Sequence, residues 1–286
     1  MPGAGARRTV QNPDSTEFAK GEVPVSHVLL EIDGPLGLLT LNNPEKHNAF
    51  DDVLIADLTA ALQALDANRE VRVVILSAAG KSFSAGADLN WMKRMAGYSQ
   101  EENLRDAEAL GSLMGTLHGL SKPTIARVQG AAFGGGVGLV ACCDMAVGTV
   151  AATFSLSEVK LGLIPAVISP YVVAAIGERA AHRYCLTAER FDAAEAFRLG
   201  LLHELAPNDE AMDDKINDLV IALLNGGPAS HREAKELIAA VASRPIDAEV
   251  IADTAERIAR VRASNEGKEG VSAFLEKRKA TWVIEE

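Results

Sequence analysis

From about residue 28 to residue 165, the hydrophobic and polar positions alternate between two patterns. Short apolar runs typical of buried strands are followed by segments whose apolar residues recur at helical spacing. The first run, HVLLEIDGPLGLLTLNN, predicts a hairpin of two strands around Asp33-Gly34-Pro35. A helix beginning at Asp51 or Asp52 follows in DDVLIADLTAALQALDAN, and VRVVILSAA is the next buried strand.

The same alternation continues toward Pro165. A helix is predicted after SAGAD, a longer one from about Glu101 to Leu120, and a strand in TIARVQG after Pro123. A helix that is preceded by glycines comes next, and the short strands MAVGT and TFSL follow it. Strands that alternate with helices in this way predict an α/β fold in which helices cover a parallel sheet.

After Pro165 the apolar positions recur at helical spacing only. Helices are predicted in AVISPYVVAAIGERAAHRYCLT, DAAEAFRLGLL, DEAMDDKINDLVIALLN, SHREAKELIAAVA and DAEVIADTAERIARVRAS. We therefore expect about the last 80 residues to be helical, without a strand long enough to extend the sheet, and to pack on their own core or on a neighbouring subunit. The predicted organisation is a flexible arm (1–25), an α/β core (26–205) and a C-terminal helical region (206–286).

The composition is that of a globular chain and argues against several classes of partner. Of 286 residues, 48% are hydrophobic and 23% are charged, which suffices for one large core or for a core with a smaller satellite domain. The net charge of -11 disfavours nucleic acid and anionic membranes as partners, because the overall field repels phosphate. No stretch approaches the ~20 apolar residues that span a bilayer.

The cysteines and histidines do not predict a disulfide or a metal site. Adjacent Cys142 and Cys143 rarely pair with each other, and with Cys185 they are expected to be reduced core residues of a cytoplasmic protein. The six histidines are scattered without the spacing of metal ligands, and the sequence contains no redox-cofactor motif. We therefore predict neither a metal nor a separate cofactor.

The segment AAFGGGVGLVACCD, residues 131–144, places three glycines directly before a short apolar run. A helix N-terminus carries unpaired N–H groups and a partial positive charge. Glycines at that end allow a ligand to approach the backbone closely, which suits an oxygen that becomes negative during a reaction. The alternative is a turn that needs glycine only for tight packing of a strand against a helix.

A second segment, KSFSAGADLNWM, has the same character. It follows a predicted strand, bends through Ala85 and Gly86, and opens a helix near Asp88. Two strand ends that both carry exposed N–H groups can converge on one oxygen. This pairing favours the functional interpretation of the glycines over the packing interpretation.

Five motifs, in this order and spacing, resemble the crotonase (enoyl-CoA hydratase/isomerase) family: NPEKHNAF, SFSAGADL, PTIARVQGAAFGGGVGL with the later CD, FSLSEVKLGLIP and FDAAEAFRLGLLHEL. The resemblance covers about residues 28–280. It implies an α/β, crotonase-like spiral of repeated ββα turns with a C-terminal helical trimerisation region, commonly assembled as a dimer of trimers. It also implies an acyl-CoA substrate, so coenzyme A is part of the substrate rather than a cofactor.

The resemblance further implies roles for individual residues. The backbone N–H groups of Ala87 and Gly135 would hold the thioester oxygen and stabilise the enolate, and losing one such donor costs about 3–4 kcal/mol. The residues implied to bind substrate or CoA are Lys46, Ala85, Gly86, Asp88, Leu89, Gly134, Phe274 and Lys277. Lys46 would lie near the CoA phosphates, while Phe274 and Lys277 would reach the CoA of a neighbouring subunit. For both lysines the alternative is an ordinary solvated side chain.

The chain departs from the resembled pattern at one catalytic position. Many hydratases of the family use two glutamates; Glu158 stands at the second position, but Gly138 occupies the first. One carboxylate can still activate water and return the same proton, and it can also move a proton between two carbons to shift a double bond. The lost side-chain volume at Gly138 leads us to expect room for a bulkier or branched acyl group.

The surrounding sequence is most similar to a bacterial branch of the family, the methylglutaconyl-CoA and isohexenylglutaconyl-CoA hydratases. AGADLNWMKRM, FGGGVGLVACCD and GLIPAVISPYVVAAIGERAAHRY carry this similarity. A glutaconyl group bears an extra carboxylate and would require a cation in the acyl pocket. Lys93, Arg94 and Arg105 are candidates, with a solvated helix face as the alternative.

The leading hypothesis is therefore an acyl-CoA hydratase that adds water to a branched or carboxylated 2-enoyl-CoA, with Glu158 as acid and base. The first alternative is a Δ3,Δ2-enoyl-CoA isomerase that uses the same glutamate. A second is a CoA-binding protein without catalysis. A third is an RNA-binding relative, which the acidic chain disfavours and which a strongly salt-dependent affinity for RNA would reveal.

Overall fold

The computed structural model describes residues 27–283, and the predicted arm over residues 1–25 lies outside them. The strands form two sheets. The larger sheet has the order β1 (Val28–Asp33), β2 (Leu36–Leu41), β3 (Val73–Ala78), β5 (Thr124–Val128), β7 (Met145–Thr149) and β10 (Glu204–Ala206). The smaller sheet has the order β4 (Ser82–Ser84), β6 (Ala131–Phe133), β8 (Thr153–Ser155) and β9 (Phe191–Asp192).

Helices make up most of the remaining described chain. Those that alternate with the strands are α1 (Asp52–Ala67), α2 (Leu89–Met95), α3 (Gln100–His118), α4 (Gly135–Cys142), α5 (Ser169–Thr187) and α6 (Ala193–Leu199). Those that follow β10 are α7 (Asp209–Asn225), α8 (Pro228–Val241), α9 (Ala248–Ala263) and α10 (Asn265–Leu275). Within the described residues, none of these helices is both long and apolar enough to cross a membrane.

The chain winds as a spiral of ββα turns, as the resemblance implies. β1 and β2 form the predicted antiparallel hairpin, and β2 then pairs in parallel with β3. In the pairs β3–β4, β5–β6 and β7–β8, the first strand joins the larger sheet and the second joins the smaller one. Because β3, β5 and β7 pair in parallel, as do β4, β6 and β8, successive turns stack with equivalent strand ends side by side.

Local sequence signals place several helix ends where we predicted them. Asp51 caps α1 by accepting a hydrogen bond of 2.8 Å from the Leu54 N–H. Ser99 and Glu102 form a reciprocal capping box at the start of α3. Gly119 ends α3 four residues before Pro123.

The main core lies between the spiral and the helices α1, α3, α4 and α5. α1 packs on α3, and α4 packs on both α3 and α5. Leu58, Leu62, Met114 and Leu139 are fully buried in this cluster. Burying each such side chain contributes roughly 1.5–3 kcal/mol to folding. The core therefore holds α4, whose N-terminus carries the glycines, in a rigid setting.

Two short strands were not predicted. β9 pairs antiparallel with β8, and β10 pairs in parallel with β7, so both extend a sheet in the region where we expected only helices. Segments of two and three residues carry no detectable period, because strand formation there depends on a partner from elsewhere in the chain. After β10 the described chain is helical, as predicted.

The C-terminal helices divide into two groups. α7 packs on the larger sheet through Met212, Ile216 and Val220. α10 instead packs against α8 and α9. Apolar side chains of these last three helices are exposed in the single chain, among them Ile238, Ile251, Ile258, Phe274 and Leu275. The boundary between core and helical region at residue 205 stays a prediction.

Candidate active site

The first part of the site is the loop that follows β4. The Phe50 N–H donates to the Gly86 carbonyl at 2.7 Å, and the Asp88 N–H donates to the Phe50 carbonyl at 2.7 Å. In a parallel bridge of this kind, the residue between the two partners turns its own N–H to the opposite side. The Ala87 N–H therefore faces away from Phe50, and it has no acceptor within residues 27–283.

The second part is the N-terminus of α4, which begins directly after β6. Gly134 has a left-handed φ of 51°, and its N–H donates to the Ser155 carbonyl at 2.9 Å. Gly135 is the first residue of α4, so its N–H has no partner within the helix, and the described chain offers it no other acceptor. The arrangement is a helix N-terminus with an unpaired N–H, as the glycines predict, at a partly buried position.

Close backbone packing brings these two parts together. A Cβ atom added to Gly136 would lie 2.5 Å from the Ser84 carbonyl oxygen, so only glycine fits where α4 crosses the end of β4. A Cβ atom added to Gly135 would lie 3.0 Å from the Phe50 ring. Gly136 is therefore needed for packing, as the packing interpretation holds, and Gly135 leaves a free N–H beside the packed segment. The binding of a ligand oxygen by that N–H stays a prediction.

Glu158 begins the 3₁₀ turn Glu158–Leu161 after β8 and completes the site. Its Oε1 lies 3.1 Å from the position of a Cβ atom built on Gly134, so the carboxyl group is adjacent to the start of α4. Its Oε2 is buried and has no hydrogen-bond partner within the described residues. Burial raises the pKa of Glu158, and a hydrogen bond from its own backbone N–H offsets this only in part.

The position of Gly138 contradicts the expectation of extra room for the acyl group. A Cβ atom there would lie 2.3 Å from Ile168 Cγ2 and 3.2 Å from Met114 Cε. Both neighbours are buried, Ile168 at 3% and Met114 at 0% exposure. Core side chains therefore fill the space that a longer residue at position 138 would need, and no acyl pocket opens there.

The chain is similar in sequence and in fold to known proteins. Residues 31–284 match the family described as Enoyl-CoA hydratase/isomerase. The chain belongs to this family. An enoyl-CoA hydratase crystal structure from Shewanella pealeana is 46% identical and superposes with a TM-score of 0.88, covering 91% of this chain and 97% of that one. Pseudomonas aeruginosa AtuE is 34% identical with a TM-score of 0.86, covering 90% and 100%. The crotonyl-CoA hydratase of Syntrophomonas wolfei is 30% identical over 260 residues, covering 90% and 98%.

In this member of the enoyl-CoA hydratase/isomerase family, the predicted CoA residue Lys46 adjoins the Ala87 loop. Its ammonium lies 3.0 Å from Asp88 Oδ2, and Asp88 also caps α2 by accepting from the Asn90 and Trp91 N–H groups. Burial raises the pKa of Asp88, but hydrogen bonds from Lys46, Trp91 and Asn90 outweigh it and hold that pKa below its ordinary value. The Lys46 side chain is about half exposed, and its contact with CoA phosphates stays a prediction.

The three cations considered for a distal carboxylate differ in their surroundings. Arg94 forms an ion pair with Asp52, and hydrogen bonding to Tyr98 together with the Asp52 charge raises its pKa. Lys93 and Arg105 are exposed. Arg94 is therefore already neutralised by a carboxylate of its own chain, while Lys93 and Arg105 lie on solvated surfaces.

Phe274 and Lys277 lie at the end of α10. Phe274 is 81% exposed, and Lys277 has a left-handed φ of 55° just beyond the helix. α10 packs against α8 and α9, so the fold of the single chain presents both residues outward on the C-terminal region. Their contact with the CoA of a neighbouring subunit stays a prediction.

Two residues that support the Ala87 loop were not predicted as part of the site. Asn48 is fully buried, and its Nδ2 donates to the carbonyls of Ala79 and Ser82, both at 2.9 Å. Phe50 is 2% exposed and contacts both parts of the site. The motif NPEKHNAF contained both residues, but its local pattern gave no sign of which neighbours they would contact. The part of the chain that the structure describes has no cluster of three or more His, Cys, Asp or Glu side chains suited to a metal.

Proposed function

We propose that the protein is an enoyl-CoA hydratase in which Glu158 is the acid and base, and Ala87 and Gly135 bind the thioester oxygen. One observation carries the proposal: the Glu158 carboxyl group, one oxygen of which is buried without a hydrogen-bond partner, lies beside the free N–H end of α4. A carboxylate with one unpaired oxygen in this setting is suited to hold and release a proton. Family membership supports the same reaction class.

The proposed reaction proceeds with one carboxylate. Ionised Glu158 removes a proton from water while the water oxygen bonds to C3 of the 2-enoyl thioester. The electrons of the double bond move toward the thioester oxygen, where the N–H groups of Ala87 and Gly135 stabilise the enolate. Protonated Glu158 then delivers its proton to C2, which leaves a 3-hydroxyacyl-CoA and regenerates the carboxylate.

For the acyl group we propose a branched or carboxylated 2-enoyl chain such as 3-methylglutaconyl. The resemblance of the α2 and α4 segments to the glutaconyl branch of the family supports this choice. Because Arg94 is paired with Asp52, Lys93 or Arg105 would have to provide the cation for a distal carboxylate. Leu89, 72% exposed at the start of α2, would contact the apolar part of the substrate.

The second candidate function is a Δ3,Δ2-enoyl-CoA isomerase. The filled space at Gly138 is compatible with it, because this reaction needs only one carboxylate. Ile168 and Met114 occupy the region where a residue-138 side chain would lie, so a second carboxylate has no place there. A single base that moves a proton between C4 and C2 through a dienolate would need only Glu158 and the same two N–H donors.

Binding of CoA would involve Lys46, Ala85, Gly86, Asp88, Leu89, Gly134, Phe274 and Lys277. The last two would act in trans, within a trimer or a dimer of trimers whose contacts cover the exposed apolar residues of α8–α10. Light scattering should then report three or six times the chain mass of 30.2 kDa. A cytoplasmic site of action stays a prediction.

Three proteins test the proposal: the wild type, Glu158→Gln and the control Glu178→Gln. The control alters an exposed glutamate on α5. Each is incubated with 3-methylglutaconyl-CoA, with crotonyl-CoA and with a 3-enoyl-CoA, and products are identified by mass spectrometry and chromatography. We expect the wild type and the control to add one water to a 2-enoyl-CoA. Glu158→Gln should lose at least about 100-fold in kcat.

The other outcomes separate the alternatives. Conversion of the 3-enoyl-CoA alone, with no water added to either conjugated thioester, would replace the hydratase by the isomerase. Binding of CoA thioesters without any conversion would indicate a non-catalytic relative. Equal kcat in wild type and Glu158→Gln would remove Glu158 from the mechanism. RNA binding that weakens steeply with salt would identify the remaining alternative.

A further inference from the structure

The geometry points to Phe50 as a positioning residue that sets the two oxyanion donors, Ala87 and Gly135, relative to each other. This inference rests on the proposed function, because it assumes that both N–H groups bind the thioester oxygen. No charge or catalytic chemistry marks Phe50 in the sequence. Its role follows from two contacts that the fold brings to one residue.

The first contact is made by the Phe50 backbone. Its N–H donates to the Gly86 carbonyl and its carbonyl accepts from the Asp88 N–H, both at 2.7 Å. These two hydrogen bonds hold the loop around Ala87 in an extended conformation. Gly86, with a φ of 93°, supplies the bend that leads into this bridge. Because both neighbours are fixed, the direction of the Ala87 N–H is determined by where the Phe50 backbone lies.

The second contact is made by the Phe50 side chain. A Cβ atom on Gly135 would lie 3.0, 3.2 and 3.3 Å from three atoms of the Phe50 ring, so the ring packs flush against the backbone of Gly135. Phe50 is 2% exposed, which leaves the ring little freedom to move away. The position of the first turn of α4 therefore depends on the size of this ring.

Together the two contacts make Phe50 a spacer. Its backbone fixes one donor and its ring supports the other, and the covalent geometry between backbone and ring is constant. The segment itself is anchored one step earlier, since the Ser84 hydroxyl donates to the Asn48 carbonyl at 2.8 Å and the Ala85 N–H donates to the His47 carbonyl at 3.0 Å. A shorter side chain at position 50 would let α4 relax and misplace the Gly135 N–H.

Kinetics of Phe50→Leu test the inference against the matched control Phe191→Leu. Phe191 is another buried phenylalanine, and it packs with Phe154 and Tyr184 rather than against a donor. We expect Phe50→Leu to lower kcat by about 10- to 100-fold while KM changes by less than about 3-fold, because misplacing a donor weakens transition-state stabilisation more than binding. The control should keep kcat within about 3-fold of wild type at a comparable loss of Tm.

A spectroscopic measurement reads the donors directly. Hydrogen bonds to the carbonyl of an aryl-conjugated enoyl thioester polarise it and move its absorbance to longer wavelength. In a Glu158→Gln background, where turnover is suppressed, the bound thioester should show this shift, and adding Phe50→Leu should reduce it by at least half. Adding Phe191→Leu should leave it unchanged.

These readouts distinguish failure of the inference from failure of the proposed function. If both the red shift and kcat are unchanged in Phe50→Leu, the role of Phe50 is overturned, while the proposed function is not. If the thioester binds without any red shift before position 50 is changed, then Ala87 and Gly135 do not hold the carbonyl, and the proposed site and the role of Phe50 both fall.

A thermal-unfolding cycle tests the ring contact without reference to activity. Gly135→Ala should lower Tm in the wild type, where its methyl group meets the ring, and lower it by less than half as much in Phe50→Leu, where the ring is gone. Equal Tm losses in the two backgrounds would show that the ring does not support Gly135 in solution, and the inference would fail.

Discussion

At the scale of single residues, the electrostatic setting of Glu158 is suited to the proton transfer that we propose for it. Its carboxyl group is partly buried, with one oxygen unpaired in the described structure. Burial raises its pKa, which means that the folded protein holds the proton more tightly than the unfolded chain does. The same property that suits the group to proton transfer makes its ionised form costly to the fold.

The raised pKa predicts how activity depends on pH. In the proposed mechanism, hydration starts from the ionised carboxylate, so kcat/KM of the wild type should fall as pH decreases through the raised pKa of Glu158. The decrease in kcat/KM should occur at a pH above about 4.3, the ordinary pKa of a glutamate carboxyl group. A pH–rate profile with crotonyl-CoA measures it. A profile that stays flat down to pH 4.3 would contradict the assignment of the base.

The same shift predicts a stability difference between the wild type and Glu158→Gln. For a carboxyl group whose folded pKa is raised, the stabilising contribution is complete below the unfolded pKa and is lost as pH rises through the folded pKa. Glutamine does not titrate, so Glu158→Gln should unfold at a higher Tm than the wild type at pH 8, by a few degrees. The difference should shrink as pH approaches 4, and a variant that is less stable at pH 8 would contradict the sign.

Gly138 shows how tertiary packing can overrule an inference from residue size. Gly138→Ala should lower the free energy of unfolding by about 1–3 kcal/mol, because its methyl group meets Ile168 Cγ2. Ile168→Ala removes that atom, so the double variant should be more stable than the sum of the single effects predicts. Urea unfolding of all four proteins measures this coupling, and additive effects would show that the two residues do not touch.

At the scale of elements, the start of α2 connects Lys46, which we propose to bind CoA, to the loop that contains Ala87. Asp88 accepts two backbone hydrogen bonds at the N-terminus of α2, pairs with Lys46, and donates its own N–H to Phe50. One residue therefore caps the helix and fixes the loop that contains Ala87. The cap is made by the side-chain Oδ1 of Asp88, and the loop is held by its backbone N–H.

Two substitutions at this position separate the cap from the ion pair. Asp88→Ala removes both and should lower the free energy of unfolding by about 1–2 kcal/mol, with a loss of kcat/KM as the loop loosens. Asp88→Asn keeps an oxygen for the cap and should remain within about 0.5 kcal/mol of the wild type. Urea unfolding and steady-state kinetics provide the comparison. Equal stability losses for the two variants would assign the effect to the Lys46 pair instead.

At the scale of the whole molecule, Arg72 joins segments that are far apart in the chain. Its guanidinium donates to the carbonyl of Trp282 at 2.6 Å and to those of Leu224 and Gly226 at 3.0 and 2.6 Å. The Trp282 indole N–H adds a bond of 3.1 Å to the Asn225 carbonyl. The segment that follows α10 is thus tied back to the end of α7.

Removing this tie should release the C-terminal segment. Arg72→Ala should increase hydrogen exchange over residues 276–283 and at the end of α7 by at least about 10-fold, because three backbone acceptors lose a charged donor. Arg69→Ala, which changes an exposed arginine three residues earlier, is the control and should exchange like the wild type. Unchanged protection in Arg72→Ala would show that other contacts hold the segment.

The sequence by itself determined the features that depend on local chemistry. The hairpin, the helices, and the free N–H end at the three glycines followed from periodicity, capping and backbone geometry, which act over a few residues. The five motifs in register were enough to indicate the family and the ββα spiral. The family resemblance also singled out Glu158, because the motif FSLSEVKLGLIP contains it and corresponds to β8 and the turn that follows.

Only the tertiary structure decided how distant segments meet. Ile168 fills the space beside Gly138 although thirty positions separate them, and the Phe50 ring meets Gly135 across 85 positions. The strands β9 and β10 exist because β8 and β7 offer them a partner edge. Packing of this kind depends on the combined shape of several elements, so no local pattern contains it. In the proposed site, it would set the alignment of the Ala87 and Gly135 N–H groups.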